Sequence, residues 1–126
     1  MIKPVNHYQA RPQIALADGI FAAQIIEPGL EGKLSSHKIW ILPNKEYPIH
    51  EHPTEHILLV LEGGGYAKYW RDGNEYRFDI NAGDSFPMPG NVWHQVGADS
   101  RGMIMKAISY DSKPLDDPGR LIVSEK

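Results

Sequence analysis

The chain of 126 residues contains no cysteine, which excludes disulfides and thiolate ligands and leaves imidazole and oxygen as the only means of holding a metal. It also lacks a charge of one dominant sign. Lys and Arg number 13 against 16 Asp and Glu, for a net charge of -3, and the basic residues form no run. Nothing in that pattern attracts a phosphate backbone or an anionic lipid surface, so neither nucleic acid nor membrane is expected as a partner. Long apolar stretches are missing too. The longest aliphatic run, residues 57–61, falls far short of the ~20 residues a membrane helix needs. Residues 1–13 carry Lys3, Pro4, Asn6, His7 and Arg11 without an apolar centre, unlike a secretory leader. These absences predict a soluble, cytoplasmic protein.

Helix signals are scarce as well. The 12 glycines and 10 prolines punctuate short segments rich in Ile, Val, Leu, Tyr and Trp, the pattern of an all-β sandwich or barrel. Strands are expected at 21–26, 33–42, 47–52, 56–62, 65–71, 74–78, 85–88, 92–97 and 102–110. Asp72-Gly73-Asn74 lies between Ala67-Lys68-Tyr69-Trp70 and Tyr76-Arg77-Phe78; Asp-Gly tolerates the positive φ angles of tight hairpins, so a hairpin is predicted there. Asn81-Ala82-Gly83-Asp84 reads as a second turn. The length suits one domain, 1–126, burying roughly two-thirds of its unfolded surface. Its barrel core is expected at about 33–110, with an N-terminal arm at 1–30 and a C-terminal arm at 111–126. Within the latter, Leu121-Ile122-Val123 could add an edge strand. Such arms often pair with a second subunit, which makes a homodimer the expected assembly.

Against this background four histidines stand out. His50 and His52 are two residues apart, and side chains on a strand repeat every two residues, so both imidazoles project from one face and can share an ion. His56 keeps the even spacing, although Pro53 interrupts the strand and predicts a bend that brings the third imidazole in from an adjoining strand. His94 must arrive by folding. A lone histidine in a barrel is more often a core or surface residue than a ligand, and His7 and His37 are read that way.

The stretch 44–98 resembles the cupin superfamily. That family has a first motif, G-x5-H-x-H-x3-E-x6-G, and a second, G-x5-P-x-G-x2-H-x3-N. His50, His52 and Gly63 fall on the first, and Gly83, Pro89 and His94 on the second. Four positions depart. Asn44 and Asn91 stand where the family has glycine, and asparagine is the next most tolerant residue of a left-handed backbone, so both turns can form. Ala98 replaces an asparagine that supports a turn. His56 replaces the glutamate that is the family's fourth ligand. Glu55 could supply the carboxylate if the register slipped by one, but one step on a strand flips the side chain to the other face. With Glu55 inward, Ile57, Leu59 and Leu61 face in; with His56 inward, Leu58 and Val60 do. The spacing to Gly63 favours His56.

The resemblance implies a double-stranded β-helix, or jelly-roll, barrel and a metal site of His50, His52, His56 and His94. Neutral imidazoles leave a divalent ion its full charge, which favours Lewis-acid chemistry. The cofactor expected is one divalent transition metal: Fe, Mn, Ni, Cu or Zn. Trp40, Phe86, Trp93 and Met105 are candidate pocket residues, and Met103, Met105 and Ala107 the expected inward set on the last strand, since the other face carries Lys106. Glu51, Glu55 and Lys38 are the nearest candidate acids and bases, and alternation turns Glu51 away from the histidines. The expectation is therefore a small metal-dependent oxygenase acting on a small chelating substrate. The alternatives are a non-catalytic cupin that binds a small molecule or sugar and a metal-dependent isomerase or lyase.

Overall fold

The computed structural model of the protein describes residues 6–29, 34–109 and 122–123. After a single 3-10 turn at His7–Gln9, everything regular among them is antiparallel β-structure. The strands are β1 (Ile14–Ala17), β2 (Ile20–Gly29), β3 (Leu34–Ile41), β4 (His50–Glu51), β5 (His56–Arg71), β6 (Asn74–Asn81), β7 (Ser85–Met88), β8 (Trp93–Ser109) and β9 (Ile122–Val123). No helix among the described residues is long and apolar enough to cross a membrane.

Two long strands, β5 and β8, build the jelly roll by belonging to both of its layers. The first half of β5 pairs with β7 and with 103–109 of β8, which in turn pairs with β3; beyond β3 lie β2 and β1. The second half of β5 pairs with β6 and with 93–98 of β8, which pairs through His94 with His50 of β4. The crossing point is marked by register shifts around Gly63 to Gly65. Gly63 has φ +73°, and a Cβ there would collide with the carbonyl of Gly102 on β8. Only glycine lets the two backbones approach this closely while bending together.

Alternation assigns the faces. Along β5, His56, Leu58 (7% exposed) and Val60 (1%) point inward, whereas Ile57 is 48% exposed. Met103, Met105 and Ala107 of β8 are buried against them, as the sequence suggested. Burying a side chain of this size is worth about 1.5–3 kcal/mol, and these strands carry the barrel core together with Ile20, Ile41, Ile80 and Val96. Turn chemistry follows expectation. Asp72 and Gly73 have φ of 54° and 78°, and they form a two-residue hairpin closed by Arg71 and Asn74, as a primed turn requires. Asn81 and Asp84 close the second turn, the Asp84 N–H donating to the Asn81 carbonyl at 2.9 Å. Asn44 and Asn91, at φ 60° and 59°, occupy the left-handed region as the glycine positions of the motifs demand.

Several boundaries differ from expectation. The segments expected at 56–62 and 65–71 are one strand, as are 92–97 and 102–110 up to Ser109, because their glycines bend the backbone without ending the ladder. The strand expected at 47–52 is reduced to His50–Glu51, since the prolines on either side interrupt the pairing. Tyr47 is nonetheless tied to the sheet through its N–H to the Val96 carbonyl at 2.8 Å. The expected N-terminal arm contains two strands, β1 and β2. Of the C-terminal arm, Ile122–Val123 forms β9, paired with His50 and Glu51; the rest of it lies outside the described residues.

Candidate metal centre

The site begins where β4 meets β8. His50 and His94 are direct cross-strand partners, so their side chains leave the same face as immediate neighbours, with ring centroids 4.2 Å apart. His52 follows His50 by two residues and keeps that face, 5.3 Å from His50 and 4.6 Å from His94. Its carbonyl accepts a hydrogen bond from the Asn91 N–H at 2.8 Å, so the left-handed turn before β8 anchors the ligand segment. The three imidazoles are 6%, 5% and 3% exposed for His50, His52 and His94. One ring nitrogen from each lies within 4.8 Å of the others.

Backbone carbonyls decide which nitrogen is offered. Nδ1 of His50 donates to the Pro48 carbonyl at 2.7 Å, Nδ1 of His94 to the Val92 carbonyl at 2.8 Å, and Nδ1 of His52 to the Thr54 carbonyl at 3.3 Å. A carbonyl only accepts, so each Nδ1 carries the proton and each Nε2 keeps its lone pair. Electrostatics point the same way. Burial pushes His50 well below its ordinary 6.5, the neighbouring His94 and His52 push it further, and the Pro48 carbonyl opposes them. Burial likewise lowers His94, against the Val92 carbonyl. Both are neutral imidazoles near pH 7, as a metal ligand must be.

His56 stands beside this group without joining it. Its ring stacks on that of His52 at 3.7 Å and 18°, and its Nδ1 lies 3.0 Å from the Ser109 hydroxyl on β8. The structure thus brings three of the four expected ligand nitrogens together and places the fourth imidazole against them. Glu55 is exposed, so the register has His56, not its neighbour, facing in. Glu51 is half-buried on the face away from His50.

A cavity of about 70 Å³ opens onto the histidines. It is walled by Leu16, Ile39, Ile41, Leu58, Met88, Val96, Met105 and Ala107, with Tyr47 and His37. Met105 is thus in the lining, while Trp40, Phe86 and Trp93 are not. Trp40 lies between Ile39 and Ile41 on the opposite face of β3, its ring 4.8 Å from Lys38 Nζ. Trp93 adjoins His94 and therefore takes the other face of β8, where its cross-strand partner is Trp70. Phe86 packs against the core and edge-on to Phe78 at 5.2 Å. His37 and Tyr47 were not anticipated in the site. Tyr47 packs on the His50 ring at 4.4 Å, and His37 is 1% exposed. The parity His37, Ile39, Ile41 along β3 was the available signal.

A small antiparallel jelly roll with inward histidines at the junction of β4 and β8 defines a β-barrel with a candidate metal centre. The chain belongs to the cupin family: residues 39–110 match its Cupin domain, Cupin_2. It is also similar to the 3-hydroxyanthranilate 3,4-dioxygenase of Paraburkholderia phytofirmans, at 32% identity over 66 residues, which is 52% of this chain and 38% of that protein. The chain therefore spans well under half the length of this relative. Among solved structures, oxalate decarboxylase from Bacillus subtilis superposes with a TM-score of 0.78 at 14% identity, covering 98% of this chain and 32% of the other. KdgF from Halomonas sp. does so with a TM-score of 0.65 at 17% identity, covering 92% and 98%. At these identities the two structures speak for a shared fold alone.

Proposed function

We propose that this cupin is a metal-dependent enzyme of oxygenase type. In this reading it holds one divalent transition ion, Fe, Mn, Ni, Cu or Zn, through His50, His52, His94 and His56, and acts on a small molecule that chelates the ion. The observation that carries the proposal is the common orientation of the imidazoles, Nδ1 tied to a backbone carbonyl in His50, His52 and His94 and Nε2 left as a donor. Ser109 gives His56 a partner on the same ring atom, so His56 can present Nε2 in the same way. The donor set fits the group: neutral imidazole suits these ions, and second partners that fix the ring strengthen the ligand.

When bound, such an ion supplies Lewis acidity and, if redox-active, electrons for dioxygen chemistry. The chain's own contribution is a shaped, largely apolar cavity. Aliphatic side chains from β3, β5 and β8 wall it, and Tyr47 packs on the His50 ring. The lining contains no carboxylate, lysine or arginine among the described residues, which favours metal-centred oxidation over reactions that need a strong acid or base. The similarity to a dioxygenase over half of this chain supports the same class.

The test is oxygen uptake by protein loaded with iron or manganese on addition of small catechols and β-diketones. Uptake that disappears in His94→Ala supports the proposal. Tight binding without turnover for every metal in the set would make the protein a binding cupin instead. The homodimer expected from the terminal arms belongs to this proposal, and a monomer at micromolar concentration in light scattering would overturn it.

A further inference from the structure

We propose that two copies of this chain pair through the outer face of the layer that holds β7, the first half of β5 and residues 103–109 of β8, their sheets stacked back to back about a two-fold axis. The inference rests on the homodimer proposed above and assigns its interface to a sheet face instead of the terminal arms.

An antiparallel layer with one face in water alternates apolar residues inward with polar ones outward. Because β5 and β8 run through both layers, each strand serves as its own control. In the layer with β6 they turn Tyr66, Lys68 and Trp70 outward, laddered with Gly97, Gln95 and Trp93. The charges of that mixed face have partners: Lys68 reaches Glu75 at 3.9 Å, and the Arg77 guanidinium lies 4.2 Å from the Tyr66 ring centroid. In the layer with β7 the same two strands turn out Ile57 and Leu59, laddered with Ile108 and Lys106, with Ile104 beyond. This face is aliphatic but for one lysine. Ile57 is 48% exposed, and Leu59, Ile104 and Ile108 are half-buried. Toward β3 the face is closed within the chain, Lys38 being 5% exposed; toward β7 it is open, with Pro87, the ladder partner of Ile57, exposed.

The charges at this face fit a second copy of the chain. Lys106 is laddered with Leu59, and Ile104 with Glu62, so the four residues form a quadrilateral with the two charges on one diagonal, about 8 Å apart by strand spacing and rise. Neither Lys106 nor Glu62 makes an ion pair among the described residues. Lys106 also stands directly across the ladder from Lys38, and like charges so placed repel unless a carboxylate lies over them. A two-fold axis lying in the face and crossing the midpoint of that diagonal sets Lys106 against the partner's Glu62, and does so twice. Leu59 and Ile104, on the other diagonal, then lie near the axis and meet their own copies. Such self-complementarity is what an isologous interface requires. Sheets stacked face to face lie about 10 Å apart, close enough to bury Ile57 and Ile108 along with them.

Sedimentation equilibrium of the full chain at micromolar concentration tests this. The wild type should be dimeric. Ile57→Lys, at a position half open to solvent, should weaken dimerisation about tenfold or more. Lys106→Glu and Glu62→Lys should each do the same, because each sets like charges against each other across the axis. The double variant should dimerise as the wild type does, and an equimolar mixture of the two single charge variants should dimerise where neither does alone. The mixture separates a lost contact from a lost fold, since misfolded chains do not restore a dimer of native mass. A monomeric wild type overturns the homodimer and this inference together, whether the chain's own remaining residues or a different protein covers the face. A dimeric wild type whose dimer survives Ile57→Lys overturns this interface alone, as do charge variants that dimerise singly or stay monomeric when mixed.

Discussion

Acidifying the metal-free protein should destabilise it, and the size of the effect follows from two side chains. His50 and His94 are held below the ordinary value of 6.5, chiefly by burial. Above that value both are neutral in the folded and the unfolded chain, and neither penalises folding. Below it the unfolded chain takes up protons that the folded chain refuses, so stability falls with pH until the folded-state value is reached. Between about pH 7.5 and pH 5.5 the two refused protons together cost at most about 3 kcal/mol. That is a large share of the ~5–15 kcal/mol that holds a typical domain together. Urea unfolding followed by tryptophan fluorescence on chelator-treated protein reads the difference directly. His94→Gln should reduce the pH dependence, since it removes one of the two groups and its push on the other. A midpoint that stays level or rises between the two pH values would refute the claim that these imidazoles are kept neutral by the fold.

Two further predictions concern single residues. Gly63→Ala places a methyl on the Gly102 carbonyl at a positive φ and should cost about 1–3 kcal/mol, seen as a lower melting temperature; an unchanged one would show that the crossing of β5 and β8 tolerates more space than the structure gives it. Ser109→Ala removes the hydroxyl beside His56 Nδ1 and should weaken metal affinity about tenfold or more, measured by competition with a chromophoric chelator, whereas unchanged affinity would remove His56 from the ligand set.

Much of the site was legible because strand alternation is a local rule. The even spacing of His50, His52 and His56 is readable without any fold, and the motif's spacing from His56 to Gly63 placed Glu55 outside, where the structure has it. Asn44 and Asn91 could be read as stand-ins for glycine because a left-handed backbone is a property of one residue and its side chain. The bends were harder. A glycine inside a strand pattern is compatible with a break or with a fold between layers, and only the pairing of β5 with β8 on both sides of Gly63 distinguishes them. His37 was read as a core or surface residue and is buried; that it also lines the cavity follows from ladder contacts through β8, which no spacing along β3 reveals. Trp40 and Trp93 were taken as pocket candidates although alternation speaks against them. Trp93 adjoins an inward histidine, and Trp40 shares parity with Lys38 rather than with Ile39 and Ile41.

The account depends most on the three imidazoles at the junction of β4 and β8 being metal ligands. Elemental analysis of the purified protein at neutral pH, before and after reloading, measures this directly. The account predicts one divalent transition ion per chain in the wild type and loss of most of it in His94→Ala, whose alanine leaves the Val92 carbonyl without its imidazole partner. A wild-type chain that holds no stoichiometric metal even after reloading with each of Fe, Mn, Ni, Cu and Zn would contradict it.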